Sequence, residues 1–269
     1  MELQQLKRLS PSRISCLFRC PREFSFRYIL EVKEPKSKPL LVGSQFHSML
    51  EGKDADVNEL LAADAEYPWC ACLRRMVAGY NEAVKPLPPA IAREVVVESD
   101  NVKIVADELR MLPDGKFFLS ENKTASILDK SKKQMLPNEI QMIAYTAHIG
   151  DIADQALLDA DKFAGVLYTT TLKPMERRKK GEAIDVFGER LTSSTVVWEI
   201  PAEKFDRSKE KWAIMSEFSQ RRIDEIAEIY TKHNSIDLIV GNSASCTRFG
   251  NKCPYWALCH GEEVDEGSV

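Results

Sequence analysis

The fold is organised by one hairpin sequence, VKIVADELRMLPDGKFFLSENK, which occupies residues 102–123. Its two halves are rich in β-branched and aromatic residues, and the turn signal Pro-Asp-Gly at 113–115 separates them. The pattern predicts an antiparallel pair of strands over 103–112 and 116–123. We expect one central sheet to be built around this pair.

Helical and strand patterns flank the hairpin on both sides. We expect helices over 11–19, 43–52, 54–85, 137–149 and 206–233, and further strands over 92–98, 163–173 and 194–200. The buried side of the last helix is expected to contain Trp212, Met215, Phe218, Ile226 and Ile229. This order of elements predicts an α/β fold of the mixed α+β type, in which helices flank a central mixed sheet. The expected organisation is a single domain over 1–269, with a helical insertion over 44–90 before the hairpin.

Composition and charge exclude several classes of protein. The chain has 269 residues, 44% apolar and 29% charged, which is typical of globular proteins and not of disordered ones. No apolar run approaches the ~20 residues that cross a bilayer, and the N-terminal residues contain no apolar signal segment. We therefore expect an intracellular, cytoplasmic protein without membrane contact. The net charge of −4 argues against a nucleic-acid coat protein, although residues 1–40 carry nine bases and four acids.

The open end of the hairpin carries a set of charged residues. Asp107 lies in the first strand, and Glu121 and Lys123 lie in the second, where alternation places them on one face. Paired carboxylates form a hard-oxygen site for Mg²⁺ or Mn²⁺, and a lysine beside them can orient water or neutralise a phosphate. The alternative is a surface ion pair between Glu121 and Lys123, and Glu108 competes with Asp107 as the metal-binding acid.

Three other residues fit the same chemistry. His47 lies on a predicted helix and can complete a metal site as a neutral imidazole. Gln141 and Tyr145 are one helical turn apart, so they share a face and can position a substrate phosphate or the lysine. Taken singly, each of these residues is more often an ordinary packed, capping or hydrogen-bonded residue than part of a metal site.

The C-terminal segment 242–260 is rich in cysteine. Cys246, Cys253 and Cys259 lie within fourteen residues of coil, and Cys20 is the natural fourth ligand for a tetrahedral thiolate site. The wide spacing favours a 4Fe–4S cluster over zinc, with buried free thiols as a further alternative. An odd total of seven cysteines argues against a disulfide framework.

Together these residues resemble the signature of RecB-like PD-(D/E)XK nucleases with an iron–sulfur clasp, a group that includes AddB-type domains, CRISPR spacer-acquisition nucleases and phage exonucleases. The likeness begins with LSPSRISCLFRCPREFSFRYIL at residues 9–30. It continues in the order of the family with GSQFH, Asp107, ENK followed by Thr124, QMIAY and the three C-terminal cysteines. It therefore spans residues 10–260.

The resemblance implies a restriction-endonuclease-like core and a role for each matching residue. The metal would be bound by His47, Asp107, Glu121 and the backbone carbonyl of Asn122. Lys123 would act with Glu121 and Asp107 in catalysis, and Gln141 and Tyr145 would position substrate or lysine. The iron–sulfur cluster would be held by Cys20, Cys246, Cys253 and Cys259.

The expected function is a Mg²⁺- or Mn²⁺-dependent exonuclease that hydrolyses single-stranded DNA or DNA ends in recombination, repair or phage DNA processing. Expected partners are DNA and a helicase or recombinase, since the chain has no Walker A motif of its own. The basic sequence Arg177-Arg178-Lys179-Lys180 is a candidate DNA contact or a solvated loop tip. The alternative function is a DNA-end-binding subunit of a recombination complex with little or no nuclease activity.

Overall fold

A computed structural model describes residues 8–33, 38–53, 68–247 and 252–261. They contain a five-stranded sheet in the order β1-β2-β3-β4-β5. The strands are β1 (Ala90–Glu98), β2 (Lys103–Met111), β3 (Phe117–Ala125), β4 (Phe163–Leu172) and β5 (Thr195–Pro201). β3 and β4 are parallel and the other neighbouring pairs are antiparallel. The expected mixed α/β fold around one central sheet is therefore confirmed.

Helices precede the sheet, cross between its strands and follow it. They are α1 (Pro11–Arg19), α2 (Pro21–Tyr28), α3 (Lys38–Leu50), α4 (Trp69–Val84), α5 (Lys132–Met135), α6 (Ile140–Ala147), α7 (Ile149–Gln155), α8 (Ile184–Arg190), α9 (Glu210–His233) and α10 (Trp256–His260). The helix expected over 137–149 is divided, because Leu136–Asn138 forms a 3₁₀ turn and His148 leaves the helical conformation. Helix α8 was not expected within the basic connection. No helix among these described elements is long and apolar enough to span a membrane.

The hairpin forms at the predicted turn. Leu112 donates its backbone N–H to the Lys116 carbonyl at 2.8 Å, and Gly115 has the positive φ of 80° that this turn needs. The parallel step from β3 to β4 then requires a long crossover, and residues 126–162 provide it with α5, α6 and α7. This crossover carries the Gln141 and Tyr145 side chains over the sheet.

Buried apolar residues form two clusters among the described residues. The larger cluster joins the sheet to α1, α2, α6, α7 and α9, and the smaller joins α3, α4 and α8. On α9 the expected buried side is wrong at Phe218, which is 60% exposed, whereas Ser219 and Ile223 are buried. Phe218 instead packs edge-on against Phe18 of α1 at the surface.

Within the segment 44–90, the structure describes the end of α3 and all of α4 as helix, whereas residues 85–89 are not helical and Ala90 begins β1. Residues 54–67 lie outside the described part, so the helix expected there is seen only as α4. Helices α3 and α4 pack with α8, which follows β4. The segment before the hairpin thus shares its apolar cluster with a helix about a hundred residues later in the chain.

Candidate active site

Asp107 lies where β2 separates from β3. The paired positions of the two strands run from Met111 and Phe117 to Glu108 and Ser120, so Asp107 is the first residue beyond the ladder. There its Oδ2 accepts a hydrogen bond from the backbone N–H of Asn122 at 2.8 Å. Beyond the last paired positions the two strands diverge, and the Asp107 carboxylate lies between them.

Glu108 faces the opposite side of the sheet and is already paired. Its Oε2 accepts from Nε of the buried Arg110 at 3.0 Å and from Nη2 of the same side chain at 2.7 Å. The Tyr80 hydroxyl of α4 lies 3.3 Å from that oxygen. Because these hydrogen bonds already satisfy the Glu108 carboxylate, Glu108 is not available as a metal ligand, and Asp107 is the acid that remains available.

Glu121 is fully buried and both of its carboxylate oxygens have partners. Oε1 accepts from Gln141 Nε2 at 2.8 Å and forms an ion pair with Lys123. The Tyr145 hydroxyl lies 2.9 Å from Oε2 and 2.6 Å from the Val105 carbonyl oxygen. A hydroxyl has one hydrogen for these two acceptors, while its own oxygen accepts from Gln141 at 2.6 Å. Gln141 and Tyr145 are one helical turn apart, and both therefore reach Glu121.

The electrostatics show the partly buried Asp107 close to the buried Glu121. Burial, followed by the charge of Glu121, raises the pKa of Asp107 to about 7. Burial by itself would lower the pKa of Lys123. The negative charges of Glu121 and Asp107 have the larger, opposite effect, so the pKa of this lysine is raised and its side chain stays cationic. The ammonium group pairs with Glu121, and the Lys123 side chain as a whole is 39% exposed.

His47 approaches the same acids from α3. Gly43, one turn earlier, has space for almost no side chain, since a Cβ there would lie 3.1 Å from Thr124 Oγ1 of β3. This close approach of helix and strand brings His47 within electrostatic reach of Glu121 and Lys123. Burial, followed by the charge of Lys123, lowers the pKa of His47, which favours the neutral imidazole that binds metals.

The backbone of Asn122, and not its side chain, faces Asp107. The N–H and C=O of one residue leave an extended strand on the same side, so the Asn122 carbonyl points with its N–H toward Asp107. Its side chain lies on the other face, where Oδ1 accepts from the Thr169 hydroxyl at 2.5 Å. Sequence reasoning missed Thr169, because only the register between β3 and β4 places it beside Asn122.

Oxygen and imidazole donors of this kind fit Mg²⁺ or Mn²⁺. The fit rests on an observation: Asp107 is partly buried beside the buried Glu121, whose charge is the second cause, after desolvation, of the raised pKa of Asp107, and a divalent cation would relieve this repulsion. Within the described residues, however, no three His, Cys, Asp or Glu side chains are arranged to hold an ion as they stand. Glu121 is not free to bind an ion in this arrangement, because Lys123, Gln141 and Tyr145 already contact its two carboxylate oxygens.

The four predicted cluster cysteines meet at one small cavity. Its lining includes Cys20 from the junction of α1 and α2 together with Cys246, Cys253 and Cys259 from the C-terminal segment. Cys20 Sγ accepts the Asn242 backbone N–H at 3.4 Å. Burial raises the pKa values of the Cys253 and Cys259 thiols, and the other cavity cysteines add to both shifts. The four cysteines line the same cavity, although as they stand no three of them are arranged to hold a metal ion. Sulfur ligands of this number are those that an iron–sulfur cluster or zinc would need.

Hydrogen bonds also hold this segment against the N-terminal helices. Asn242 Nδ2 and Ser245 Oγ both donate to the Arg19 carbonyl at the end of α1, each at 2.9 Å. Tyr255 is buried and stacks on Phe26 of α2 with ring centroids 5.3 Å apart. We call residues 242–247 and 252–261 the cysteine clasp; residues 248–251 lie outside the described part of the chain.

The basic residues 177–180 are exposed on the connection that follows β4. Glu182 fixes the shape of this connection by accepting from the Lys179 backbone N–H at 2.8 Å and by pairing with Arg190 of α8. Because β3 and β4 are parallel, their carboxyl ends lie at the same end of the sheet. The connection that follows β4 therefore starts near Lys123, which lies close to the end of β3.

The mixed sheet places Asp107 beside the Glu-x-Lys sequence of β3, a combination that suits metal-assisted hydrolysis of phosphodiesters. The match of a family model to residues 8–260 makes the assignment specific, and the chain belongs to the PD-(D/E)XK nuclease superfamily. Membership indicates a nucleic-acid hydrolase. A search of curated proteins finds no match to this chain. The narrower resemblance to RecB-like members with an iron–sulfur clasp stays a prediction.

Proposed function

We propose that the protein is a Mg²⁺- or Mn²⁺-dependent DNA exonuclease that hydrolyses single strands or DNA ends, in recombination, repair or phage DNA processing. The observation that carries the proposal is the meeting of Asp107, Glu121 and Lys123 on one side of the diverging strands β2 and β3. A nuclease of this superfamily binds DNA, and the cytoplasmic location and a helicase or recombinase partner belong to the same proposal.

The acidic residues hold the metal. Asp107, Glu121, His47 and the Asn122 carbonyl would be the donors, and a bound divalent ion would supply a nucleophilic water and stabilise charge on the phosphate. The Asn122 N–H holds Asp107 in place, and Gln141 and Tyr145 hold Glu121. This second layer of hydrogen bonds fixes the carboxylates before substrate arrives, which limits the reorganisation needed during reaction.

Lys123 acts as a cation. Since its pKa is raised by the two carboxylates, it is protonated at neutral pH and is not a general base in this state. Its ammonium group pairs with the buried Glu121, and its side chain is partly exposed. From that position it can donate hydrogen bonds to the attacking water or to a phosphate oxygen, and it stabilises the negative charge that develops on the phosphate.

The exposed residues Arg177, Arg178, Lys179 and Lys180 support a DNA contact. They extend from the sheet edge that carries Lys123, and their backbone is braced by the pairing of Glu182 with Arg190. Exposed cations on a braced connection bind phosphates without reading base sequence. The cysteine clasp has a structural role in this proposal, since a 4Fe–4S cluster, or less favourably zinc, would join α1 and α2 to the C-terminal segment.

A cleavage assay tests the function. Wild type and Lys123→Ala are incubated with 5′- and 3′-labelled single- and double-stranded DNA, with Mn²⁺, Mg²⁺ or EDTA. We expect metal-dependent release of label by wild type, and a loss of about 100-fold or more in Lys123→Ala with DNA binding retained. Lys204→Ala, an exposed lysine after β5, is the matched control. Intact DNA binding by wild type without cleavage would contradict the proposal and favour an end-binding subunit.

A further inference from the structure

Two aromatic side chains lie on the face of the sheet that carries Glu121 and Lys123. Glu121 of β3 pairs in register with Tyr168 of β4, and Tyr168 pairs with Trp198 of β5. Paired residues of neighbouring strands point to the same face, so these three side chains form one row across the sheet. The Tyr168 and Trp198 rings are stacked, with an interplanar angle of 10° and centroids 6.1 Å apart. The aromatic pair thus extends the site from Glu121 toward the edge of the sheet.

This row lies at the border between the covered and the open part of that face. The preceding row is buried in the larger apolar cluster and consists of Leu119, Val166 and Ile200. In the following row Lys123 and Val196 are both partly exposed. Within the row itself Glu121 and Tyr168 are buried, whereas Trp198 is partly exposed. The Trp198 ring is therefore the first aromatic surface on this face that solvent reaches.

The Trp198 ring is supported by a neighbouring strand on one side only. Tyr168 stacks on it from β4. Because β5 is the last strand in the sheet order of the described residues, no further strand of that sheet lies beside the opposite side of the ring. An aromatic ring that a buried neighbour holds in place, and that is itself partly exposed, is a rigid surface on which a planar ligand can stack.

The charges around the aromatic pair favour an uncharged ligand. Burial, followed by the charges of Glu139 and Glu121, raises the pKa of Tyr168, so two carboxylates lie near this ring. These carboxylates repel a phosphate that approaches the pair, whereas a nucleobase is uncharged and has a flat π face. The phosphate of the same strand has the cation Lys123 instead, on the same face of the sheet.

The aromatic pair is within reach of the strand that contacts Lys123. Neighbouring strands of a sheet lie about 4.8 Å apart, so Trp198 is about 10 Å from Glu121, two strands away. A nucleic acid whose phosphate contacts Lys123 can therefore place a nearby base over Trp198. The bases of a duplex are already paired and stacked, so only an unpaired base is available for this contact.

We propose that Trp198, supported by Tyr168, stacks on one unpaired nucleobase of the substrate strand, close to the phosphate that is cleaved. The inference rests on the proposed nuclease function and adds a preference for single strands to it. Stacking tolerates any sequence because every base has a π face. The protein therefore holds one base of a single strand at this position without selecting which base it is.

The first test measures binding of labelled oligo-dT to Lys123→Ala, which preserves the DNA, by fluorescence anisotropy. We expect Lys123→Ala/Trp198→Leu to bind about ten-fold more weakly, and Lys123→Ala/Trp198→Phe, which keeps a ring, to stay within about three-fold of the parent. Lys123→Ala/Phe218→Leu, which removes an exposed aromatic ring on α9, keeps the parent affinity. Parent affinity in the Trp198→Leu variant overturns the inference.

The second test locates the base. A single abasic nucleotide is moved along oligo-dT bound to Lys123→Ala, and we expect one position at which it weakens binding about ten-fold. At that position it should have no further effect in Lys123→Ala/Trp198→Leu, because the ring and the base form one contact. A general loss of folding does not produce such a position-specific result. A uniform response along the strand, or the same response in both variants, overturns the inference.

Cleavage by wild type keeps this inference apart from the nuclease proposal. If wild type cleaves DNA with Mn²⁺ but no position of the strand is coupled to Trp198, the inference fails and the nuclease proposal stands. If wild type does not cleave but one position is coupled to Trp198, the base-binding site stands and the nuclease proposal fails.

Discussion

Asn122 donates its backbone N–H to the Asp107 carboxylate at 2.8 Å, across the opening between β2 and β3. The strand that carries Glu121 and Lys123 thereby also orients the acid of the neighbouring strand. Asp107 and the buried Glu121 repel each other when no cation is bound, and this repulsion makes the protein sensitive to pH and to divalent metal.

The metal-free protein should lose stability as pH rises. Asp107 has a folded-state pKa raised to about 7 from the ordinary 3.8, so between these values the folded protein holds a proton that the unfolded chain releases. The free energy of unfolding therefore falls with rising pH across this window and levels off above it. We expect the Tm of EDTA-treated protein to drop by several degrees between about pH 5 and about pH 8.

Asp107→Asn and Mn²⁺ provide the controls for this effect. The asparagine removes the titration, so its Tm should be flatter over the same range and higher than that of wild type at the upper end. Mn²⁺ should raise the Tm of wild type more at the upper end than at the lower end, and should raise that of Asp107→Asn far less. A wild-type Tm that is independent of pH would contradict the assignment.

Tyr145→Phe should reduce kcat about ten-fold and change KM little. The hydroxyl lies 2.6 Å from the Val105 carbonyl oxygen, 2.6 Å from Gln141 Nε2 and 2.9 Å from Glu121 Oε2, so its removal loosens the metal-binding carboxylate. Steady-state kinetics with Mn²⁺ measure the effect, and Tyr230→Phe on α9 is the matched control. A variant with unchanged kcat would limit Tyr145 to a structural role.

Gly43→Ala should weaken metal binding although alanine favours helices by about 1 kcal/mol over glycine. The new Cβ would lie 3.1 Å from Thr124 Oγ1, so α3 must recede from β3 and carry His47 with it. Calorimetric titration of Mn²⁺ measures the loss, which we expect to be several-fold. Gly150→Ala in α7, where a Cβ meets nothing within 4 Å, should leave metal affinity unchanged.

A companion variant checks the cause of that effect. In Gly43→Ala/Thr124→Ala the hydroxyl that meets the new Cβ is gone, so most of the lost metal affinity should return. If the double variant binds Mn²⁺ as weakly as Gly43→Ala, the close approach of α3 and β3 is not the reason.

Removal of a clasp cysteine should abolish binding of the proposed cluster and lower the Tm by several degrees. Cys253→Ser and Cys259→Ser each remove one sulfur from the cavity that holds all four. Metal analysis of protein purified without oxygen should find iron and inorganic sulfide in wild type and neither in the variants. Cys70→Ala, in the smaller apolar cluster, should retain both. Zinc in place of iron would assign a zinc clasp instead.

Local sequence patterns were sufficient for much of the molecule. The turn at 113–115, the strands around it and the helix that starts after Ser10 follow from residue preferences that act over a few positions. The pairing of Gln141 with Tyr145 also follows from one helical turn. The division of the expected 137–149 helix was missed because single-residue departures such as that at His148 leave no periodic signal.

The sequence by itself determined the sheet-forming hairpin, the order of the motifs and the residue types that a metal and a phosphodiester require. Tertiary structure alone decided which of the neighbouring acids Asp107 and Glu108 is available, because strand alternation and Arg110 turn one of them away. It also brought Cys20 to cysteines more than two hundred residues later, and Thr169 to Asn122 through the parallel register. These contacts depend on crossover geometry and strand register, which arise from packing over the whole chain and not from any local stretch.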